Sequence, residues 1–260
     1  MPEDLINFKN VDSSQIYKEP FLHCVVDNFF PLDIAKNLEQ EFPSFNSDVW
    51  HRYRNPLEIK NACNNWNSFP PLTYKIFKYL NSQKFINVIR RKLHFNKEIY
   101  SDEGLNGGGW HMSGNGGKLN PHLDYFIHPK LDLQRKFNLI VYLNSEWQRN
   151  WGGDFGVWET DKNSKRAGKL FKSIFPSFNR AILFETSHSW HGLAKQINCP
   201  DDQHRKSLAA YFLCDPVVNP DNPRHKALYS PTDDQKGDPE ILDIINKRAS
   251  ASTANQVWKI

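Results

Sequence analysis

The period of apolar and polar positions changes near residue 105, and the two halves of the chain predict different elements. Residues 21–30, FLHCVVDNFF, are apolar and rich in β-branched and aromatic side chains, as a strand would be. PLDIAKNLEQEFP follows, with a proline suited to a first helical turn, Ala35, Leu38 and Phe42 on one face, and Pro43 as a stop. Residues 44–70 carry no clear period and many Asn, which predicts a loop. From Pro71 to Phe95, Leu72, Ile76 and Leu80, then Ile86, Ile89 and Leu93, recur at helical spacing, predicting two amphipathic helices broken near residues 81–83. Beyond residue 105 the texture becomes strand-sized: 138–144, 153–159, 169–175, 179–185, 192–197 and 206–213 are short apolar or alternating segments separated by Gly, Pro, Asn and Asp. So many strands in so short a stretch predict a sandwich or jelly roll. Residues 216–239 hold five prolines and read as an irregular surface arm, followed by a short helix over 239–248 and a fraying end. The expected architecture is mainly β with buttressing helices, an α+β chain forming one domain over 1–260. Within it, 20–100 is a strand-helix support, 105–215 the jelly-roll core and 216–260 the C-terminal arm.

Composition narrows the function classes. Apolar content is a modest 39%, but 8 Trp, 9 Tyr and 18 Phe give the core large buried area per side chain. A net charge of +4 without long runs of like charge is a weak footprint for nucleic acid, and IRRKLHF reads as the solvated face of a helix. Cys24, Cys63, Cys199 and Cys214 lie far apart without CxxC spacing, which argues for reduced thiols over a zinc site or disulfide framework. Neither a signal-like start nor an apolar run of about 18 residues occurs. A cytoplasmic protein without a membrane segment is expected.

The candidate chemistry begins at NPHLDYF. Chance places a His and an Asp two apart roughly once in a chain of this composition, so His122 and Asp124 mean little alone. On a strand they would share one face and reach one ion. Two histidines and one carboxylate on one face, with open positions opposite, form the facial triad of non-haem iron(II) oxygenases. His191 in SHSWHGLAK is the preferred third ligand because it stands at a strand edge, and His188 of the same loop competes. Further on, Arg205 and Ser207 head an apolar strand on one face, and an inward arginine there needs an anionic partner. A carboxylate-bearing cosubstrate would serve, gripped by the guanidinium and helped by the Ser207 hydroxyl. Asn138, Ile140 and Tyr142 alternate onto one face, and the Tyr142 hydroxyl is placed to donate to the same carboxylate.

Taken in order, HLD, NLIVYLNSEW, WGGDFGVWE, PSFNRAILFET with WHG, and RKSLAAYF make residues 20–215 resemble the prolyl 4-hydroxylase-like branch of the iron(II)- and 2-oxoglutarate-dependent dioxygenases. GGGWHMSGNGG and VVDNFFPLDIAKNLEQEFP are similar to that family as well. The resemblance implies a double-stranded β-helix of the cupin-like jelly-roll type. It implies iron on His122, Asp124 and His191, the distal carboxylate of 2-oxoglutarate on Arg205, and a cosubstrate hydrogen bond from Tyr142, with Ser207 and Asn138 nearby. Dioxygen and 2-oxoglutarate would be consumed, succinate and carbon dioxide released, and ascorbate would help keep the iron ferrous. The chain departs from the family in three places. Arg205 follows His191 by 14 positions, a longer spacing than usual; collagen-type members carry lysine where Arg205 stands; and Met112 occupies a position that is tyrosine in some relatives.

The default substrate under this resemblance is a prolyl residue of a peptide. A free sugar or amino-acid derivative is the alternative, and a non-catalytic jelly-roll binding module the second class. Metal binding should weaken as pH falls through the histidine range, since ligating imidazoles must be neutral. Plainer readings attach to the other marked residues. His111 is expected as an ordinary loop or edge histidine, Trp147, Trp151 and Trp158 as packing, and the glycines at 107–109 and 114–117 as flexible turns near the opening.

Overall fold

Strand alternation and helical periodicity meet on one large sheet. The computed structural model describes residues 5–217, 224–250 and 252–254. In chain order the first part contains α1 (Phe8–Ser13), β1 (Ile16–Tyr17), β2 (His23–Val26), α2 (Leu32–Gln40), β3 (His51–Asn55), β4 (Glu58–Cys63), α3 (Pro71–Leu80) and α4 (Gln83–Lys92). The strand-rich part follows: β5 (Tyr100–Ser101), β6 (Gly109–Ser113), β7 (Lys118–Leu119), β8 (His122–Leu123), β9 (Gln134–Tyr142), β10 (Phe155–Thr160), β11 (Ala167–Ile174), β12 (Ala181–Glu185), β13 (His191–Leu193), β14 (Arg205–Cys214), β15 (Leu228–Tyr229) and α5 (Pro239–Ala249). A ten-stranded sheet runs β1-β2-β12-β9-β14-β6-β4-β3, with β5 on β14 and β7 on β4, and a five-stranded sheet runs β11-β10-β13-β8-β15.

The larger sheet sorts its residues by parity. Phe137, Leu139 and Val141 of β9 and Leu208, Ala210 and Phe212 of β14 join one apolar cluster with Leu38, Ile76, Phe77, Phe85 and Ile89 of the helices. Helices of nine or ten residues are marginal alone. Burial against the sheet holds them, at about 1.5–3 kcal/mol for each fully buried side chain such as Phe77. Pro71 opens α3, and the Ser82 hydroxyl caps α4 by accepting from Phe85 N at 3.4 Å, so the break falls at the expected NSQ. The opposite parity, Asn138, Ile140 and Tyr142 with Arg205, Ser207 and Tyr211, faces the smaller sheet.

Four expectations change. Residues 44–70 are not a loop throughout: β3 and β4 form an antiparallel hairpin, followed by a short 3-10 turn at Trp66–Ser68. β3, HRYRN, alternates rings with arginines, and β4, EIKNAC, mixes charged, amide and apolar side chains, so neither carries a clear apolar period; Asn55 Oδ1 makes their turn by accepting from Leu57 N at 2.9 Å and Glu58 N at 3.1 Å. GGGW does not mark a flexible turn at its third glycine. Gly109 opens β6 in the middle of the sheet with φ +89°, and a Cβ there would stand 2.1 Å from the Cys63 carbonyl of the neighbouring strand. The strand expected at 192–197 is limited to His191–Leu193. The C-terminal arm is not simply irregular, because β15 joins the smaller sheet beside β8 and α5 is capped by Asp238. Arm residues 218–223, and the last residues 255–260, for which fraying is the expectation, lie outside the described residues. All four cysteines are unpaired and buried. Among the described residues no helix is long and apolar enough to cross a membrane.

Candidate metal centre

His122 and His191 sit directly opposite each other on β8 and β13, with ring centroids 4.3 Å apart. Each Nδ1 faces a backbone carbonyl two residues upstream, Asn120 O at 3.0 Å and Ser189 O at 2.8 Å. A carbonyl can only accept, so Nδ1 carries the proton and the Nε2 lone pair is left for a metal. Asp124 stands one residue past the end of β8, yet its Oδ1 and Oδ2 lie 3.8 Å from His122 Nε2 and His191 Nε2 respectively. One donor atom from each of the three falls within 4.8 Å of the others, and all three side chains are buried. His188 of the same loop is exposed and lies apart.

The imidazoles are kept neutral chiefly by burial. Burial, with His191 alongside, lowers His122 to about 3, and burial lowers His191 as well. The expectation of proton competition through the ordinary histidine range is therefore corrected: while the fold holds, His122 keeps its ligating form well below pH 6.5. Burial alone would raise the Asp124 carboxyl, but His191, Arg135 and His122 outweigh it and hold it below the usual range. Its Oδ2 has no hydrogen-bond partner, as suits an atom left for a cation.

Arg135 was not singled out by its sequence. Its guanidinium is clamped between the Tyr125 and Tyr211 rings, 3.6 and 3.5 Å from their centroids, with Nη1 3.7 Å from Asp124 Oδ1. It donates to the Asn106 carbonyl and to Tyr125 Oη, and Tyr211 Oη donates to Asp124 Oδ1 at 3.4 Å. The two stacking tyrosines lie ten and 76 positions from Arg135, beyond any local pattern. Past the triad, His128 faces Asp102 at 3.5 Å.

The other end of the site lies on the larger sheet. Tyr142 and Ser207 pair across β9 and β14, and Arg205 precedes Ser207 on the same face. Arg205 Nε donates to the Gly153 carbonyl at 2.7 Å, and its guanidinium carbon lies 4.6 Å from the Tyr142 ring centroid. Tyr142 Oη and Asn138 Oδ1 are buried without hydrogen-bond partners. Such orphaned groups are costly unless a ligand meets them. A cavity of about 170 Å³ joins both ends and is lined by all seven residues named from the sequence: His122, Asp124, His191, Arg205, Tyr142, Ser207 and Asn138. His111 also lines it, from central strand β6 and not from a loop or edge, and burial lowers it to about 3. Trp147 packs with Ile197 and Cys199, edge-on to Trp151, away from the cavity.

Residues 108–213, which carry all seven, match the family model of the 2OG-Fe(II) oxygenase superfamily. This stretch is similar to a 2OG-Fe(II) oxygenase domain. Its family uses iron(II), 2-oxoglutarate and dioxygen; the donor set fits the first, and the unpartnered Tyr142 hydroxyl with Arg205 fits the second. The chain is 24% identical over 218 residues to prolyl 3-hydroxylase OGFOD1 of Mus musculus, covering 78% of this chain and 34% of that protein. It is 31% identical over 106 residues to prolyl 3-hydroxylase OGFOD1 of Xenopus laevis, covering 39% of this chain and 20% of that one. The chain thus spans about a third or less of the length of these curated relatives. A Pseudomonas putida prolyl-4-hydroxylase superposes on it with a TM-score of 0.54 at 16% identity, over 75% of this chain and 93% of that one. A Trichoplax adhaerens prolyl hydroxylase, solved with a hypoxia inducible factor peptide fragment, gives 0.51 at 19% identity, over 74% and 83%. At such identities the likeness is one of fold, and the oxygenase domain has the double-stranded β-helix.

Proposed function

We propose that this chain is an iron(II)- and 2-oxoglutarate-dependent dioxygenase that hydroxylates a prolyl residue of a peptide or protein. The observation carrying the proposal is the single cavity joining the His122–Asp124–His191 triad to the Arg205–Tyr142–Ser207 end. The prolyl substrate is suggested by the names of the curated relatives, to which this chain is similar over part of their length.

In this reading His122 Nε2, Asp124 and His191 Nε2 hold the metal on one face. Bound iron supplies the redox centre at which 2-oxoglutarate, dioxygen and a substrate C–H become succinate, carbon dioxide and an alcohol, one oxygen atom entering each of succinate and substrate. Arg205 forms charge-assisted hydrogen bonds to the distal carboxylate, with the Ser207 hydroxyl beside it. Tyr142 Oη, without a partner, faces the same cosubstrate, and Asn138 lines the cavity beside it, where only its amide nitrogen can donate to an oxyanion. The buried phenol is raised above its usual range by burial, against the lowering effect of Arg205, so it stays protonated and able to donate. Apolar walls from Phe155, Phe184 and Tyr229 exclude water from the imidazoles.

We read 1–260 as one functional unit acting in the cytoplasm, with β15 of the arm completing the metal-bearing sheet. Ascorbate is proposed as the reductant that keeps the iron ferrous. The test incubates purified protein with iron(II), 2-oxoglutarate, ascorbate and proline-containing peptides, and follows succinate by mass spectrometry alongside a mass gain of one oxygen on the peptide. His122→Ala should abolish both. Succinate formation that survives this change would reject the assigned centre.

A further inference from the structure

β4 lies outside the matched residues 108–213, yet its inner side continues the cavity wall. Ala62 pairs with His111, His111 with Ser207 and Ser207 with Tyr142, so one row of side chains crosses four strands on the face that holds the cosubstrate end. Lys60 stands two residues before Ala62 and shares that face. It lines the cavity two strands from Arg205, about 10 Å across the sheet at the usual strand spacing.

Lys60 shares its carboxylate partner with a second cation. Glu58, 1% exposed, receives Arg248 of α5 on Oε1 at 2.7 Å and Lys60 on Oε2 at 3.2 Å. Arg248 makes the shorter contact and is the more buried cation, its side chain 6% exposed against 21% for Lys60. One carboxylate thus faces two cations, and the three groups together leave a net positive charge at the cavity wall. The field of Lys60 reaches the centre, where it lowers His111, His122 and His191 and helps hold Asp124 ionised. In the dioxygenase reading the carboxylate of 2-oxoglutarate is answered by Arg205, and Asp124 is paired with Arg135, so neither anion is left for Lys60.

We propose that Lys60 is a substrate-binding residue that pairs with a carboxylate of the substrate. An acidic side chain close to the target prolyl residue, or the free carboxylate of a small substrate, would supply it. The assignment rests on the dioxygenase reading above. It makes the β3–β4 hairpin part of the specificity apparatus and gives the substrate a charge.

The experiment measures binding to protein loaded with manganese(II) and 2-oxoglutarate under argon. The probes are fluorescent, end-blocked peptides of equal length with a central proline flanked by Glu, Gln or Lys, and unlabelled N-acetylproline and its amide as competitors. Either the Glu peptide should bind about tenfold tighter than the Gln peptide, or N-acetylproline about tenfold tighter than its amide, the scale of one charge-assisted hydrogen bond. Which pair differs identifies the source of the carboxylate. Lys60→Met should erase the preference, Lys60→Arg should retain it, and Lys60→Glu should turn it toward the Lys peptide. Binding indifferent to the carboxylate, or a preference that survives in Lys60→Met, overturns the assignment, as does a tenfold weaker affinity of Lys60→Met for 2-oxoglutarate itself. Substrate-free succinate formation by the unaltered protein tests the dioxygenase reading separately: its presence with carboxylate-indifferent binding sinks only the role of Lys60.

Discussion

Replacing Arg135 by Met isolates the support of the proposed metal carboxylate. The guanidinium is 2% exposed, stacked between two tyrosines and 3.7 Å from Asp124. Its loss removes two desolvated cation–π contacts, each worth about 1–2 kcal/mol. It also leaves a buried carboxylate short of a counter-charge, and breaking a buried pair costs about 3–5 kcal/mol. The contributions overlap, and methionine regains about 1 kcal/mol by filling the space between the rings. A net loss of about 3–5 kcal/mol is expected in the metal-free protein. A bound divalent cation would stand beside Asp124 and replace the missing charge, so saturating manganese(II) should recover part of the loss. The assay is urea unfolding followed by tryptophan fluorescence, for wild type, Arg135→Met and Arg135→Lys, with and without metal. Lysine, keeping charge but not the flat stacking, should fall between the other two. A loss below about 1 kcal/mol at unchanged slope would refute the clamp, and a loss identical with and without manganese would refute the coupling to a metal at Asp124.

Other outcomes follow from the same geometry. His191→Ala should remove manganese(II) binding measured by calorimetry, while His188→Ala, altering an exposed side chain, should leave it within about twofold. Arg205→Met should weaken 2-oxoglutarate binding about tenfold or more, through loss of a charged hydrogen bond, with manganese affinity little changed. Tyr229→Ala should weaken metal binding, because this ring stacks on His122 at 5.3 Å from the neighbouring strand, and Tyr229→Phe should retain it. Acid should unfold the metal-free protein early. His122 and His111 are each lowered to about 3, so the unfolded chain binds protons first as pH falls below 6.5. Stability is full above that value and declines by roughly 2 kcal/mol per histidine by pH 5, at about 1.4 kcal/mol per pH unit. A flat urea midpoint between pH 7 and 5 would contradict this.

What the sequence revealed divides along physical lines. Tyr142, Ser207 and Arg205 were legible because a strand alternates with period two, and one apolar parity facing the helices forces the polar parity inward. His122 and His191 were legible as a pair of residue types and became a site through a cross-strand register that no local pattern states. The helices followed from their apolar stripes and punctuation at Pro71 and Ser82. β3 and β4 were missed because HRYRN alternates rings with arginines and EIKNAC mixes charged, amide and apolar side chains, so neither shows an apolar face. β15 is two residues long and held by its neighbour β8, so propensity had nothing to register.

The same division bears on specificity. The proposed metal and cosubstrate residues lie within one continuous stretch, 108–213, whose spacing is set by adjacent strands. The rest of the cavity wall joins Glu58 of β4 to Arg248 of α5 across 190 positions, with Arg248 also donating to Tyr229 beside His122. Such a contact leaves no periodic trace, because neither partner's neighbours are constrained by it. A comparison confined to 108–213 therefore captures the groups suited to activating dioxygen and omits β4, β15 and α5, which line the remaining wall. If Lys60 selects its substrate by charge, two chains with the same triad and the same arginine can differ in what they hydroxylate through a hairpin and a C-terminal helix that the shared domain does not contain.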